Sequence, residues 1–269
     1  MGKNLSNSVA IITGASSGIG RETAILLAQK RVKVTLAARR ENRLEEVARI
    51  INGLEGKALV IPTDVSSQTQ VERMVEKTLE QFGRIDILVN NAGFGQLASI
   101  EETSPDDMRE IMDVNLMGAF YATKAVLPQM KKQRSGHIIN ISSVAGKRGF
   151  PFLGAYCATK FAMNAISEAM RIELTGTGIY VSVVYPVTTI TEFFDVIKSK
   201  AGRRFVAPKV FTQSAYQVAT AIVKCAENPK PEVLPFPLAR LLILMNACMP
   251  GVLDFFLRTY YRSKSMING

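Results

Sequence analysis

Six short apolar runs rich in Val and Ile punctuate the chain, and stretches with helical spacing fill the gaps between them. The runs are SVAIITG (8–14), VKVTLAA (32–38), ALVIPTD (58–64), DILVNNAG (86–93), GHIINISS (136–143) and IYVSVVYP (179–186). Largely continuous apolar runs of this length read as strands buried on both faces. Between the third and the fourth, Val71, Met74, Val75, Leu79 and Phe82 fall on one face of a helix over 68–82. TSPDDM opens another helical stretch, 105–130, with Ser104 as N-cap and Pro105 at the first helical position. Helices over 19–30 and 155–175 follow the first and fifth strands. Few folds accept this order. Strand–helix alternation predicts one α/β domain, a doubly wound parallel sheet of about seven strands with helices on both faces. Right-handed crossovers then bring the carboxyl ends of the strands to one edge, where ligands bind.

The 269 residues suffice for one large α/β domain, and 47% hydrophobic with 21% charged residues predicts an ordered core. Residues 1–230 hold the alternating pattern, and 231–269 form an apolar extension. The net charge of +10 is scattered, which suits an anionic cofactor or an anionic membrane face. No nucleic-acid reading motif accompanies it, so nucleic acid is not an expected partner. Cys157, Cys225 and Cys248 are odd in number and far apart, which points to a reducing, cytoplasmic setting without a disulfide framework. His137 is the single His and opens a buried strand, so it reads as structural, and no Cys/His cluster predicts a metal site.

The first strand runs into TGASSGIG, with Gly14, Gly18 and Gly20 between a strand and a helix. Glycine allows a tight turn and close backbone approach, and the helix start offers N–H groups to a pyrophosphate. The candidate contacts there are Gly14, Ser16, Ser17, Gly18, Ile19 and Gly20. The second strand ends AARRE, where a carboxylate would select NAD by bonding a ribose 2′-hydroxyl. Arg39 and Arg40 stand there instead and suit a 2′-phosphate, so NADP(H) is expected and NAD is the lesser alternative. In GAYCATK, Tyr156 and Lys160 share a helix face at i, i+4. Alone, that pair reads either as two stems packed at the surface or as a phenol poised beside a cation.

With these motifs the chain resembles the short-chain dehydrogenase/reductase family. TGASSGIG (13–20), TDVS (63–66), NNAG (90–93), Asn115 in DVNLMG, ISSVAG (141–146) and YCATK (156–160) occur in the family's order and spacing, over roughly 5–230. The resemblance implies a Rossmann-type fold and a catalytic tetrad of Asn115, Ser143, Tyr156 and Lys160. Ser143 rather than Ser142 matches the family's serine, thirteen positions before the tyrosine. It further implies adenine contacts from Asp64 and Val65, and that Asn91, Ala92 and Gly93 line the adenosine ribose side and brace the sheet. Lys160 would also hold the nicotinamide ribose, Asn115 would hold a relay water, and Pro186 and Thr191 would face the nicotinamide. Val187 departs from the family's usual Gly and predicts an altered turn or nicotinamide pose.

The chemistry is arguable without the resemblance. Hydride reduction of a carbonyl needs a proton for the developing alkoxide, and a free Tyr, with pKa about 10, is a poor donor near neutrality. A neighbouring ammonium and a cationic nicotinamide would lower that pKa, and Ser143 would hold the substrate oxygen. Beyond 230 the chain reads PEVLPFPLARLLILMNACMPGVLDFFLRTYYRSK, uncharged over 241–253 and broken by Pro250–Gly251. Too short to span a bilayer, this segment reads as a helix over the substrate pocket, a dimer contact, or a peripheral membrane patch bearing Phe255, Phe256, Tyr260 and Tyr261. Ile190, Phe193, Phe194, Val196, Ile197, Phe205 and Val206, with Phe94, Leu97, Val144, Phe150, Phe152 and Leu153, are the candidate apolar wall. Lys147, Arg148 or Arg203–Arg204 are the charges that would face a substrate.

The expected activity is NADP(H)-dependent interconversion of a hydrophobic ketone and a secondary alcohol, with a steroid-, retinoid- or lipid-like substrate. Alternatives are reduction of a 3-ketoacyl thioester on a carrier protein or coenzyme A, and a non-catalytic dinucleotide-binding scaffold. Helices 105–130 and 155–175 resemble the family's dimer-forming pair, so a homodimer is expected, with a tetramer as the larger alternative.

Overall fold

A computed structural model describes residues 2–194, 198–199 and 211–263, with the side chains of Phe194, Lys198 and Ser263 outside the description. Val196, Ile197, Arg203, Arg204, Phe205, Val206 and Lys264 therefore lie beyond the described residues. The six predicted runs become β1 (Val9–Thr13), β2 (Lys33–Ala38), β3 (Lys57–Pro62), β4 (Ile87–Asn90), β6 (Gly136–Ile141) and β7 (Ile179–Val184). Short pieces add β5 (Gln96–Leu97), β8 (Thr188–Ile190), β9 (Lys198–Ser199), β10 (Thr212–Ser214) and β11 (Glu232–Val233). Seven strands form one parallel sheet in the order β11-β7-β6-β4-β1-β2-β3. The order reverses between β1 and β4, so their carboxyl ends diverge into a crevice.

Helices cover both faces. On one lie α1 (Gly18–Gln29), α2 (Glu41–Gly53) and α7 (Ala215–Glu227); on the other α3 (Gln68–Phe82), α5 (Gly118–Gln133) and α6 (Gly154–Glu173). Successive β1 residues split between the two cores: Ala10 and Ile12 join α1 and α7, while Ile11 joins α3 and α5. That is why the strand is apolar from Val9 to Ile12. His137 is buried on β6 with Nε2 2.7 Å from Ser182 Oγ. Burial pushes its pKa down to about 3, so it is a neutral structural group.

The stretch expected as one helix over 105–130 is two. Ser104 caps α4 (Pro105–Met112), accepting from Asp107 N at 3.1 Å while Asp107 returns a bond to Ser104 N. A π turn at Asp113–Met117 then leads into α5, which runs on through Pro128 to Gln133. The interruption thus comes at Asn115 rather than at the proline. Such wide turns recur where a helix must present a side chain to a site.

Candidate active site

At the carboxyl end of β1 the chain turns sharply into α1. Gly14 (φ +67°) and Gly18 (φ +54°) adopt left-handed backbone that side-chain-bearing residues rarely hold. A Cβ on Gly20 would lie 2.3 Å from the Gly14 carbonyl oxygen, so helix and turn touch main chain to main chain. Ser17 stands at the N-cap without a side-chain capping bond, which leaves first-turn N–H groups of α1 to a ligand. Asn91 Nδ2 ties β4 to this turn, donating to the oxygens of Thr13 (2.9 Å) and Gly14 (3.2 Å). The Ala92 N–H bonds Thr13 Oγ1 at 3.1 Å. Tight turn, free amide ends and narrow spacing fit the pyrophosphate of a dinucleotide.

Arg39 and Arg40 are both exposed at the end of β2. Arg40 folds back over the turn: Nη2 reaches Ser16 Oγ (3.1 Å) and Ser17 Oγ (3.0 Å), and Nη1 pairs with Glu192 Oε2 at 3.0 Å. Arg40 holds the Glu192 carboxyl below the usual range. Asp64 Oδ1 accepts from Ser66 N and Oγ at 3.0 and 2.7 Å. The Val65 side chain is buried against Gly118, so what Val65 offers an adenine is main chain.

Ser143, Tyr156 and Lys160 come together from the end of β6 and the first turns of α6, along one wall of a cavity of about 660 Å³. Ser143 Oγ accepts from Ala145 N at 3.1 Å, whereas Ser142 is buried with its hydroxyl turned to the Lys160 carbonyl at 3.4 Å. Lys160 lies one helical turn below Tyr156, its Nζ 5.7 Å from the ring centroid and donating to the Ile141 oxygen at 2.8 Å. Asn115 is fully buried behind them. Its amide pairs with the Phe94 main chain in both directions, at 2.9 Å each, and donates to Thr159 Oγ1 at 3.2 Å. A Cβ on Gly93 would meet Asn115 Oδ1 at 2.9 Å, which explains the small residue there.

The protonation states run against the simplest expectation. Tyr156 lines the cavity but lies deep within it, and that burial raises its phenol above 10; a hydrogen bond with Ser143 only partly opposes the rise. Burial also lowers Lys160, to about 8. The chain's own groups therefore do not make Tyr156 acidic. Burial is the larger influence on the phenol and the Ser143 bond the smaller, opposing one; a positive charge bound beside the ring would lower it.

The cavity runs from Ser17, Gly18, Ile19, Asn91 and Gly93 past Tyr156 to an apolar chamber. Pro186, Val187 and Thr191 line it, and a Cβ on Gly18 would touch Thr191 Cγ2 at 3.0 Å. The segment after Pro186 continues through Val187 into β8, which pairs in parallel with β10. The far wall comes from α8 (Ala239–Cys248) and α9 (Pro250–Ser263), through Leu242, Met245, Leu253 and Tyr261 among others. This hairpin is held by polar contacts from the loop after Ser143. Arg148 reaches Asn246 Oδ1 (2.8 Å) and Asp254, and Asn246 Nδ2 donates to the Lys147 oxygen at 2.9 Å.

Several expected wall residues stand elsewhere. Leu97 is buried in a small core with Phe152 packed against it, and Ile190 points out to solvent. Phe94 is not on the cavity wall, whereas Val144, Phe150, Leu153 and Phe193 are. Lys147 pairs with Glu232 at 2.7 Å and Arg148 is spent on the hairpin, so neither charge faces the chamber. The sequence reading missed Thr159, Glu192 and the hairpin's individual contacts. An Arg–Glu pair 152 positions apart leaves no local signal. Among the described residues no cluster of His, Cys, Asp or Glu could hold a metal.

Known proteins resemble this chain over most of its length. Residues 8–202 match the family model for short chain dehydrogenase. An uncharacterized oxidoreductase of Staphylococcus saprophyticus is 41% identical over 199 residues, 73% of this chain and 80% of that protein. The ketoacyl reductase HetN of a Nostoc species is 34% identical over 231 residues, 86% of this chain and 79% of its own. Among solved structures, a short chain dehydrogenase/reductase of Burkholderia phymatum in complex with NAD superposes with a TM-score of 0.83 at 27% identity, covering 91% of this chain and 94% of that one. A metagenomic short-chain oxidoreductase in complex with NADP gives 0.74 at 30% identity, covering 86% and 97%.

Proposed function

Since the chain belongs to the short-chain dehydrogenase family and is an oxidoreductase of that type, we propose that it interconverts a hydrophobic ketone and its secondary alcohol with NADP(H). One observation carries the reading: Tyr156, Ser143 and Lys160 stand where the glycine-turn end of the cavity meets its apolar chamber. A nicotinamide dinucleotide bound there supplies the hydride and, when oxidised, a positive ring. Gly14, Ser16, Ser17, Gly18, Ile19 and Gly20 would hold its pyrophosphate, with Asn91, Ala92 and Gly93 beside the ribose and Pro186 and Thr191 toward the nicotinamide. Arg39 and Arg40 support the NADP choice, since two guanidiniums at the end of β2 complement a 2′-phosphate.

Ser143 Oγ would donate to the substrate carbonyl and fix it beside the Tyr156 phenol. Tyr156 would then transfer its proton to the oxygen as negative charge develops there. Lys160, on the next turn below, would stabilise the phenolate that remains. Asn115 has its amide engaged with Phe94 and Thr159, so a relay water behind Lys160 would rest on its main-chain oxygen. Apolar Leu242, Met245 and Leu253 favour a bulky, uncharged substrate over a small hydroxy acid.

The test is a panel of ketones graded in apolar size, assayed with NADPH and NADH. Rising kcat/KM with apolar bulk supports the reading; activity confined to small charged ketones overturns it. A 3-ketoacyl thioester belongs in the panel, because the Nostoc relative is a ketoacyl reductase. Exposed Phe120 on α5 and Phe161 on α6 support a homodimer through those helices, to be checked by light scattering.

A further inference from the structure

The α8–α9 hairpin has two apolar faces. One lines the cavity. The other presents Leu244 (54% exposed), Met249 (51%), Val252 (43%) and Phe255 (66%) to solvent, and Leu241 and Phe256 stand at the rim between the two, on the cavity wall yet more than half exposed. A run this dense, on one hairpin, exceeds what scattered surface hydrophobes explain. We propose that this outer face docks on an anionic lipid surface.

Charge selects the occupant. The single acid of the hairpin, Asp254, is paired with Arg148. Arg240, Arg258 and Arg262 are exposed and have no carboxylate partner among the described residues. The apolar face is thus bordered by uncompensated positive charge on a chain of net +10. A second copy docked by the same face would bring these arginines toward their own equivalents, whereas anionic headgroups neutralise them. Geometry selects the mode. Helices of 10 and 14 residues rise about 15 and 21 Å, short of a hydrocarbon core of about 30 Å. They also meet at 120°, and no single helix among the described residues is long and apolar enough to cross a membrane. Such a hairpin lies in the interface with its aromatic residues at headgroup depth. Docking by this face is independent of which substrate the cavity takes.

The experiment is flotation of the full-length protein with vesicles of phosphatidylcholine alone, or of phosphatidylcholine and phosphatidylglycerol in equal parts. The protein is expected to float with the anionic vesicles, at least about tenfold more strongly than with the neutral ones, and to be released by high salt. Leu244→Glu with Phe255→Glu should abolish flotation; neither side chain lines the cavity, so dinucleotide affinity should stay at the parent value and report an intact fold. Arg240→Gln, Arg258→Gln and Arg262→Gln together should weaken partitioning about a hundredfold at low salt, near fivefold per arginine. Equal flotation on both vesicles, no flotation on either, or undiminished flotation of the arginine variant would overturn the proposal. So would a Leu244/Phe255 variant that splits an oligomer while floating like the parent, since the face would then belong to a second copy.

Discussion

Replacing Arg40 by Ala tests cofactor choice at a position where the structure allows the size to be worked out. Its guanidinium makes three contacts, to Ser16 Oγ, Ser17 Oγ and Glu192 Oε2. The ion pair is well exposed, 44% and 41% on its two sides, so water screens it and it contributes only about 0–1 kcal/mol to folding. Bonds from a guanidinium to a phosphate are charge-assisted and worth about 1.5–3 kcal/mol. Arg40→Ala should therefore raise the NADPH dissociation constant about 10- to 150-fold and leave that of NADH within about twofold. Glu192 gives the counter-test. Arg40 holds its carboxyl below the usual range, so it stays ionised at neutral pH and would compete with a 2′-phosphate for the guanidinium. Glu192→Gln should tighten NADPH by up to about fivefold without changing NADH. Fluorescence titration of both dinucleotides against the three proteins reads this directly. Equal losses for NADPH and NADH in Arg40→Ala would refute the reasoning, because Arg40 would then only be shaping the turn through Ser16 and Ser17.

Lys160→Met should inactivate the enzyme yet stabilise the unliganded fold at pH 7. The folded pKa of Lys160 is pushed to about 8 from 10.5, so the unfolded chain binds the proton more tightly. Its burial then costs stability below pH 8, on the order of 3–4 kcal/mol, and that cost fades as pH rises toward 10.5; denaturant unfolding at pH 7 and pH 9.5 should show parent and variant moving closer. Gly20→Ala would place a Cβ 2.3 Å from the Gly14 oxygen and 2.5 Å from Asn91 Nδ2. The turn must open, so dinucleotide affinity should fall more than about tenfold with a loss of about 1–3 kcal/mol in stability, read by titration and denaturant unfolding. Met245→Trp should shrink the chamber and raise KM for the bulkiest ketones, leaving small ketones near parent values in the same steady-state assay.

The sheet was legible because its central strands are buried on both faces and so read as mostly apolar runs, as Ala10, Ile11 and Ile12 illustrate. The glycine turn was legible because φ > 0 at Gly14 and Gly18 and the close contact at Gly20 admit little else. Tyr156 and Lys160 were legible as an i, i+4 pair. The break in 105–130 was not: the π turn at Asn115 is stabilised by Phe94 and Thr159, which are distant in sequence. Nor was the two-residue β11, which is too short for any periodicity. The expected wall failed at Leu97, Phe152 and Ile190 because hydrophobicity alone does not say whether a side chain faces a core, a cavity or water. The expected lowering of the Tyr156 pKa invoked a cationic nicotinamide as well as Lys160; in the chain by itself depth in the cavity raises the phenol, and residue spacing carries no signal of that depth.

The proposed chemistry rests on the phenol of Tyr156 as proton donor, and Tyr156→Phe removes that oxygen while keeping the ring against Phe193, 5.7 Å away. Single-turnover reduction of an apolar ketone by saturating NADPH is the measurement. The account predicts a rate about 10²- to 10⁴-fold below the parent with dinucleotide affinity unchanged within about twofold. A variant that reduces the ketone as fast as the parent would contradict it.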